Sequence, residues 1–440
     1  MNEEKAQDRT RRQNMKERRF WNEEKEALPF QKLRGLQREG LQNAVDWAYK
    51  RTTFYRNLFD QAGVKPKDVL TIEDITKLPF TTDIEVATDI PLKDRLAIPE
   101  EKIKMYHSTS GTVGAVAPIP FSQKDMEAFI NDGEARGRWT MGVRPWDTVQ
   151  VLTRFDCCFL GYKELGASLV LLSAGRYTTD HQIRLTKESG VTVIEHMPSL
   201  LLPYFERMEQ MGFNIKETKL RMVSGVGEGW AESYKKKVEN KYGIPFMTLY
   251  GAADTAPFFA AECEAREGMH FNADIGILEV VNPETGKSLS EGEEGELVVT
   301  MLQREAMPLI RYRTGDLGSI LPYGPCPCGR TVPKMSYVRG RVSHRIKVGG
   351  KNILPIDVEE VVAGFEGLEN EFRIICQKPD MERLRLKIEH RSEVKDLRVL
   401  REKVEETIFR KLGINAEVGL VAKGTLERVT FKAQRIERLY

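Results

Sequence analysis

The chain has 440 residues, 41% of them hydrophobic and 30% charged, which is the composition of a globular protein of two or three domains. Its 67 Lys and Arg stand against 65 Asp and Glu, and a net charge of +2 gives no broad electrostatic case for nucleic acid or an anionic membrane. No apolar run approaches the roughly 20 residues of a spanning helix. The stretch MNEEKAQDRTRRQNMKERR carries both charge signs and lacks the apolar core of a secretory signal. A cytoplasmic enzyme is therefore expected, with reduced thiols at its six cysteines, so that metal binding outranks disulfides.

Residues 1–28 are polar and highly charged and are expected to form a solvated helix or a frayed tail. From Phe30 to about Ala62, Leu33, Leu36, Leu41, Val45 and Ala48 recur at helical spacing and predict one or two amphipathic helices. The segment HSTSGTVGA (107–115) then concentrates Ser108, Thr109, Ser110 and Thr112 with Gly111 and Gly114. Glycines let a backbone turn tightly and bring N–H groups against phosphate oxygens, while hydroxyls add donors or reach a phosphate-bound cation. There is no GxxxxGK[ST], so this is not a Walker A loop, and taken alone it reads equally as a Ser/Thr/Gly-rich surface turn.

From about Thr148 the pattern alternates. TVQVLT, ASLVLL, VTVIEHM, LRMVSGV and PFMTLYG read as buried strands, and residues 180–189 and 230–242 read as helices between them. This order predicts an α/β fold with a doubly wound, mainly parallel sheet, whose ligands sit beyond the carboxyl ends of the strands. The loops after Val223 and after Tyr250 are therefore candidate sites. ILEVVNPETG and GEEGELVVTML then predict a β-rich part built from hairpins. Cys263 and His270 in AECEAREGMH, with Cys326 and Cys328 in the turn CPCGR, make a Cys₃His set suited to structural zinc. Two surface cysteines, a buried cysteine and an unrelated histidine are the alternative. Cys157, Cys158 and Cys376 have apolar neighbours and read as small core residues.

GRVSHRIKVGG (340–350) reads as a joint, followed by a compact α+β unit of helix (357–365), strand (372–376), strand (Leu384, Leu386, Ile388), helix (Val394, Leu397, Val404, Ile408) and strand (416–421). The division expected is 1–340 and 341–440.

These segments together resemble the phenylacetate–coenzyme A ligase family, of the superfamily of acyl-CoA synthetases, peptide-synthetase adenylation domains and luciferases. FWNEEKEALP, TFYRNLFDQAGV and KLPFTT resemble its N-terminal region; HSTSGTVGA its phosphate loop; SGVGEGW its adenine-pocket segment; YGAADT its YGxSE motif; MPLIRYRTGDLG its core motif; GRVSHRIKVGGKNILPIDVEEVV its hinge and first C-terminal helix; and ERVTFKAQRI its lysine motif. The resemblance runs from about residue 20 to the last line of the sequence. It implies a large N-terminal adenylate-forming domain and a small mobile C-terminal domain. A carboxylate would attack the α-phosphate of ATP to give acyl-AMP and pyrophosphate, and coenzyme A would then displace AMP. Both steps develop charge on phosphate or carbonyl oxygens, so cations and preorganised donors carry the catalysis.

By the same resemblance Ser108, Thr109, Ser110, Gly111, Thr112 and Gly114 hold phosphates, Glu228, Tyr250 and Gly251 line the adenine site, Asp316 binds the ribose and Arg341 contacts the nucleotide. Lys432 is the adenylation lysine and Asp254, where the family has glutamate, holds Mg²⁺. Gly349 and Gly350 would line the pantetheine tunnel after domain rotation. The sequence departs from the pattern at Ala115, in place of the phosphate-loop lysine, at Phe431, in place of glycine, and at Ser343 and His344, where hinge acids are usual. An aromatic acid such as phenylacetate is the default substrate. Phe155, Phe258 and Phe259 are candidate pocket walls or core, and Arg154 and Asp156 mark a divergent acyl segment. The alternatives are transfer of the acyl group to a carrier protein or amine, and a nucleotide-binding homologue without turnover. A zinc-dependent nucleic-acid binder ranks last. A homodimer is left open.

Overall fold

The computed structural model describes residues 18–82, 90–108, 118–153, 159–171, 178–252, 255, 259–428 and 433–440. Its first segment departs from expectation. Phe20 and Glu26 are buried, Glu26 pairs with buried Arg330 at 2.7 Å, and Arg19 donates to the carbonyls of Pro327 and Cys328. Two of the charges that made 18–28 look solvated, Arg19 and Glu26, are matched by partners some three hundred residues away, which composition cannot reveal. Two helices follow, Phe30–Arg51 and Thr53–Gln61, divided at Thr52, whose hydroxyl accepts the Tyr55 N–H and caps the second. Leu41, Val45, Ala48, Tyr55 and Phe59 from this pair pack on Ile277, Leu302 and Ile310.

A short strand β1 (Thr81–Thr82) precedes the hairpin β2 (Ile103–Ser108) and β3 (Pro118–Ser122). The carboxylate end of this region is fixed by Asp125, which caps its own helix through Ser122 and takes the N–H groups of Glu305 and Ala306.

The apolar runs form an eight-stranded sheet: β4 (Thr148–Val151), β5 (Ser168–Leu171), β6 (Val193–His196), β7 (Met222–Gly225), β8 (Phe246–Tyr250), β9 (Ala260–Glu262), β10 (Met269–Phe271) and, later in the chain, β14 (Lys334–Met335). Their spatial order is β14-β10-β9-β8-β7-β6-β4-β5. β5, β4, β6, β7 and β8 are parallel, and β9, β10 and β14 continue the sheet antiparallel. Alternate residues serve opposite faces. Ile194, Val223 and Phe246 pack with Ile183, Leu201, Phe205 and Val238 of three helices on one side, and Val193, Met222 and Met247 pack with Trp139, Tyr162 and Leu165 on the other. Helices on both faces of a mainly parallel sheet are the doubly wound arrangement expected. The order switches at β4, between β5 and β6, so the crevice lies over the carboxyl ends.

A second sheet holds β11 (Gly276–Val281), β12 (Gly295–Met301) and β13 (Tyr312–Gly318), with β1 on β13 and a short β15 (Gly340–Arg341) also pairing β13. β11 and β12 are the predicted hairpin. Beyond a single turn at Val342–His344, the chain builds β16 (Ile346–Val348), β17 (Lys351–Ile353), helix Pro355–Val362, β18 (Leu368–Cys376), β19 (Asp380–Met381), β20 (Leu384–His390), helix Leu397–Leu412, β21 (Ala416–Ala422) and β22 (Ile436–Arg438). Their core, including Val358, Phe372, Leu386, Val404, Ile408 and buried Cys376, draws on no residue before Ile346. Gly349 and Gly350 both take positive φ in the β16–β17 turn, the backbone of a tight hairpin that non-glycine residues resist.

Candidate active site

Three distant segments meet where β8 ends. Tyr250 closes β8, Asp316 lies in β13, and Arg341 lies opposite it on β15. The Tyr250 hydroxyl donates to Asp316 Oδ2 at 3.0 Å, Arg341 Nε stands 3.5 Å from Oδ1, and Arg341 Nη2 donates to the Thr314 carbonyl at 2.7 Å. Asp316 and Arg341 are partly exposed, while Tyr250 is buried. Burial, and then the neighbouring Asp316 charge, push the Tyr250 phenol well above its ordinary range, so it is a hydrogen-bond donor at neutral pH.

Local sequence explains the presentation of Asp316. The β12–β13 register shifts between Glu296 and Val298, so the TGD segment bulges. Gly315 takes φ +74°, and a Cβ there would stand 2.8 Å from Arg341 Nη2. The neighbouring arginines of the RYRTGDLG segment are anchors: Arg311 pairs with Glu279 at 2.9 Å and donates to the Leu78 carbonyl, and Arg313 pairs with Glu296. Glu296 also accepts the Gly315 N–H at 3.1 Å, which holds the bulge.

Gly251 follows Tyr250 and is half-buried; Asp254 lies outside the described residues. Arg304, which sequence reasoning missed, donates to the Thr255 carbonyl at 2.6 Å and stacks over Phe121, and so fixes the far end of the YGAADT loop. Ser108 ends β2 opposite Pro118, so the segment between them starts and ends on paired strands; Thr109, Ser110, Gly111, Thr112, Gly114 and Ala115 are outside the described residues. So are Lys432 and Phe431, and in the acyl segment Arg154, Phe155, Asp156, Cys157, Cys158 and Phe258. Phe259 is a core residue, fully buried and stacked on Phe271.

On the adjacent strand, β7 leads into a loop carrying Glu228. One of its oxygens accepts the Ser199 N–H at 3.1 Å, and the other accepts the N–H of Ala433. Nearby, Glu359 accepts the Ala231 N–H and Glu360 the Ser233 N–H, each at 2.9 Å. Both acids come from helix Pro355–Val362 and engage the start of helix Glu232–Tyr242, where free N–H groups favour anions. No sequence signal isolates these acids, because their role arises from contact between distant segments.

The four cysteine and histidine residues converge. All four are buried, and the ligand atoms of Cys263, His270, Cys326 and Cys328 lie within 4.8 Å of one another. Cys263 and Cys326 sulfurs are 3.7 Å apart, and two thiolates about 2.3 Å from a tetrahedral zinc would stand roughly 3.8 Å apart. His270 Nε2 is 3.3 Å from Cys328 Sγ, while its Nδ1 meets the Val332 carbonyl at 3.0 Å, the outer bond that orients a ligating imidazole. This group can hold a metal ion.

The AMP-binding enzyme family matches residues 50–303, and the AMP-binding enzyme C-terminal domain matches residues 350–438. The phenylacetate–coenzyme A ligase of Thermus thermophilus is 32% identical over 90% of this chain and 86% of its own. That of Escherichia coli is 30% identical over 93% of this chain and 96% of its own. The chain belongs to the phenylacetate–coenzyme A ligase family of AMP-binding enzymes. As a member of the family it is an AMP-forming acid–thiol ligase, with ATP and coenzyme A as co-substrates. A 2-hydroxyisobutyryl-CoA ligase in its postadenylation state superposes with a TM-score of 0.89 at 25% identity, covering 96% of this chain and 93% of that one. The same protein in its thioesterification state gives 0.71 at 26% identity, covering 96% and 92%. Among the described residues no helix is long and apolar enough to cross a membrane.

Proposed function

We propose that this ligase activates phenylacetate or another small, mainly aromatic carboxylic acid. The support for the acid is the full-length similarity to phenylacetate–coenzyme A ligases. The observation that carries the site reading is the meeting of Tyr250, Asp316 and Arg341 from three separate segments at the carboxyl end of β8. An ionised carboxylate offers about four acceptor positions, enough for a ribose diol beside Tyr250. Arg341 would stay close to the nucleotide, Tyr250 and Gly251 would flank the adenine, and Ser108 to Gly114 would take the phosphates. Lys432 would neutralise charge at the α-phosphate and acyl carboxylate during adenylation. Asp254 would hold Mg²⁺, which draws negative charge off the triphosphate.

We further propose zinc at Cys263, His270, Cys326 and Cys328. Four protein ligands leave no open position, so its work is structural. It would tie the strand β10 to the 326–332 loop, which Arg19 and Glu26 grip from the N-terminal side. Reduced thiols fit a cytoplasmic enzyme. The functional division is taken at 340/341, with residues 341–440 rotating between the two half-reactions. The higher similarity to the postadenylation form supports a C-terminal unit docked here as for adenylation. The test is acid-dependent formation of AMP and a thioester, over a panel of aryl, short aliphatic and hydroxy acids, with coenzyme A, carrier proteins and amines as competing acceptors. Phenylacetate and coenzyme A should give the highest kcat/KM. A hydroxy acid favoured more than tenfold would refute the proposed acid, and a preferred carrier would refute the proposed acceptor.

A further inference from the structure

Glu228 joins segments 205 residues apart. Its loop is rigidly seated: Val226 N–H bonds the His196 carbonyl at 3.2 Å, Gly227 takes φ +84°, and a Cβ on Gly229 would come 2.9 Å from the Val338 carbonyl oxygen. From this fixed loop the carboxylate reaches helix Pro198–Gln210 through Ser199 and reaches the C-terminal unit through Ala433. Ala433 follows Lys432, and consecutive Cα atoms are about 3.8 Å apart. Tethering the Ala433 N–H therefore anchors the residue that directly follows Lys432 in the chain.

We propose that Glu228 is a positioning residue, a latch that holds the C-terminal unit at Ala433, next to Lys432 in the chain, in register for adenylation and releases it for the thiol step. The inference rests on the reading of Lys432 as the adenylation lysine. Two further observations support it. Both bonds use backbone N–H groups on an ionised acceptor, the strong and directional kind of hydrogen bond. Apart from Ile356 and Ala363, which pack on the N-terminal core, the surrounding contacts are also polar and separable: Glu359 and Glu360 on backbone N–H groups, Arg435 3.6 Å from Glu359, Lys237 on Asn370, and Lys423 3.7 Å from Glu206. Water can replace each of them when the unit swings away, whereas the hydrophobic core of the C-terminal unit is self-contained. With one backbone N–H from each domain on its two oxygens, Glu228 acts on adenylation through the segment that Ala433 anchors.

The experiment measures the half-reactions separately in the full chain. Pyrophosphate release in a single turnover reports adenylation, and thioester formation from synthetic phenylacetyl-AMP and coenzyme A reports the second step. Glu228→Gln keeps the shape but supplies only one acceptor oxygen, and Glu228→Ala supplies none. Adenylation should slow about tenfold in the first and more in the second, because a charged acceptor contributes roughly that factor. KM for ATP should change less than twofold, and the thioester step should change far less than adenylation. Adenylation within twofold of the parent would overturn the latch. So would equal loss in both steps with a lowered thermal midpoint, which marks a merely structural residue, or a tenfold rise in KM for ATP at unchanged kcat, which marks a nucleotide contact. Lys432→Ala is measured alongside. If it adenylates at the parent rate, the lysine reading fails and takes the latch's purpose with it; if it is inactive while Glu228→Gln is fully active, the latch alone fails.

Discussion

Replacing Asp316 by alanine should damage ATP binding far more than it damages the fold. The carboxylate accepts the Tyr250 hydroxyl at 3.0 Å and sits 3.5 Å from Arg341 Nε, at a partly exposed edge of β13. Its loss leaves Arg341 on the Thr314 carbonyl and Tyr250 beside the cleft, so stability should fall by no more than about 1 kcal/mol, the net worth of one ordinary hydrogen bond. Two ribose hydroxyls on one ionised acceptor contribute about 1.5–3 kcal/mol each in the favourable case. Allowing for the positive charge left at Arg341, a net loss of about 3 kcal/mol corresponds to a rise in KM for ATP of roughly 100-fold. Asparagine keeps one acceptor and should cost about tenfold. The assay is acid-dependent pyrophosphate release against ATP concentration, with thermal melts of each variant. A KM for ATP within twofold of the parent in a folded Asp316→Ala protein would refute the ribose assignment.

The proposed site at Cys263, His270, Cys326 and Cys328 predicts one zinc per chain by elemental analysis, lost in Cys328→Ser. Its removal by a chelator should lower the thermal midpoint by roughly 5–10 °C and expose residues 18–28 to proteolysis; a metal-free, equally stable protein would contradict this. The buried pair of Arg136 and Asp274, 2.8 Å apart, predicts that Asp274→Asn costs about 1–3 kcal/mol, because Asp132 at 3.2 Å still faces Arg136. Burial alone would raise the Asp274 pKa, but the Arg136 charge and hydrogen bonds outweigh it and hold it below the usual carboxylate range. Because the folded pKa is the lower one, the stabilisation from this carboxylate is fully present above the unfolded value and lost as pH falls through the folded one. Denaturant midpoints should therefore converge for parent and Asp274→Asn in acid, below about pH 4, and parallel curves down to pH 2 would contradict the pairing.

Much of this fold was legible because burial on both faces of a parallel sheet leaves near-continuous apolar runs, as at Phe246–Tyr250. The hairpin turns were legible through Gly and Pro, and the Cys₃His set through its residue types alone. Composition failed for residues 18–28, since a charged segment reads as solvated whether or not Arg330 waits for Glu26. Glu359 and Glu360 look like ordinary helix-surface acids, and only docking against Ala231 and Ser233 gives them work. Arg304 gave no signal because its partner is a backbone carbonyl. The sequence named Glu228 only for the adenine site, and its partner Ala433 depends on how the C-terminal unit docks.

This chain should make an acyl-adenylate before any thiol takes part. Acid-dependent exchange of labelled pyrophosphate into ATP, measured without coenzyme A, tests it most directly. Exchange should appear with phenylacetate and disappear in Lys432→Ala. ATP binding without exchange for any acid in a broad panel would contradict it.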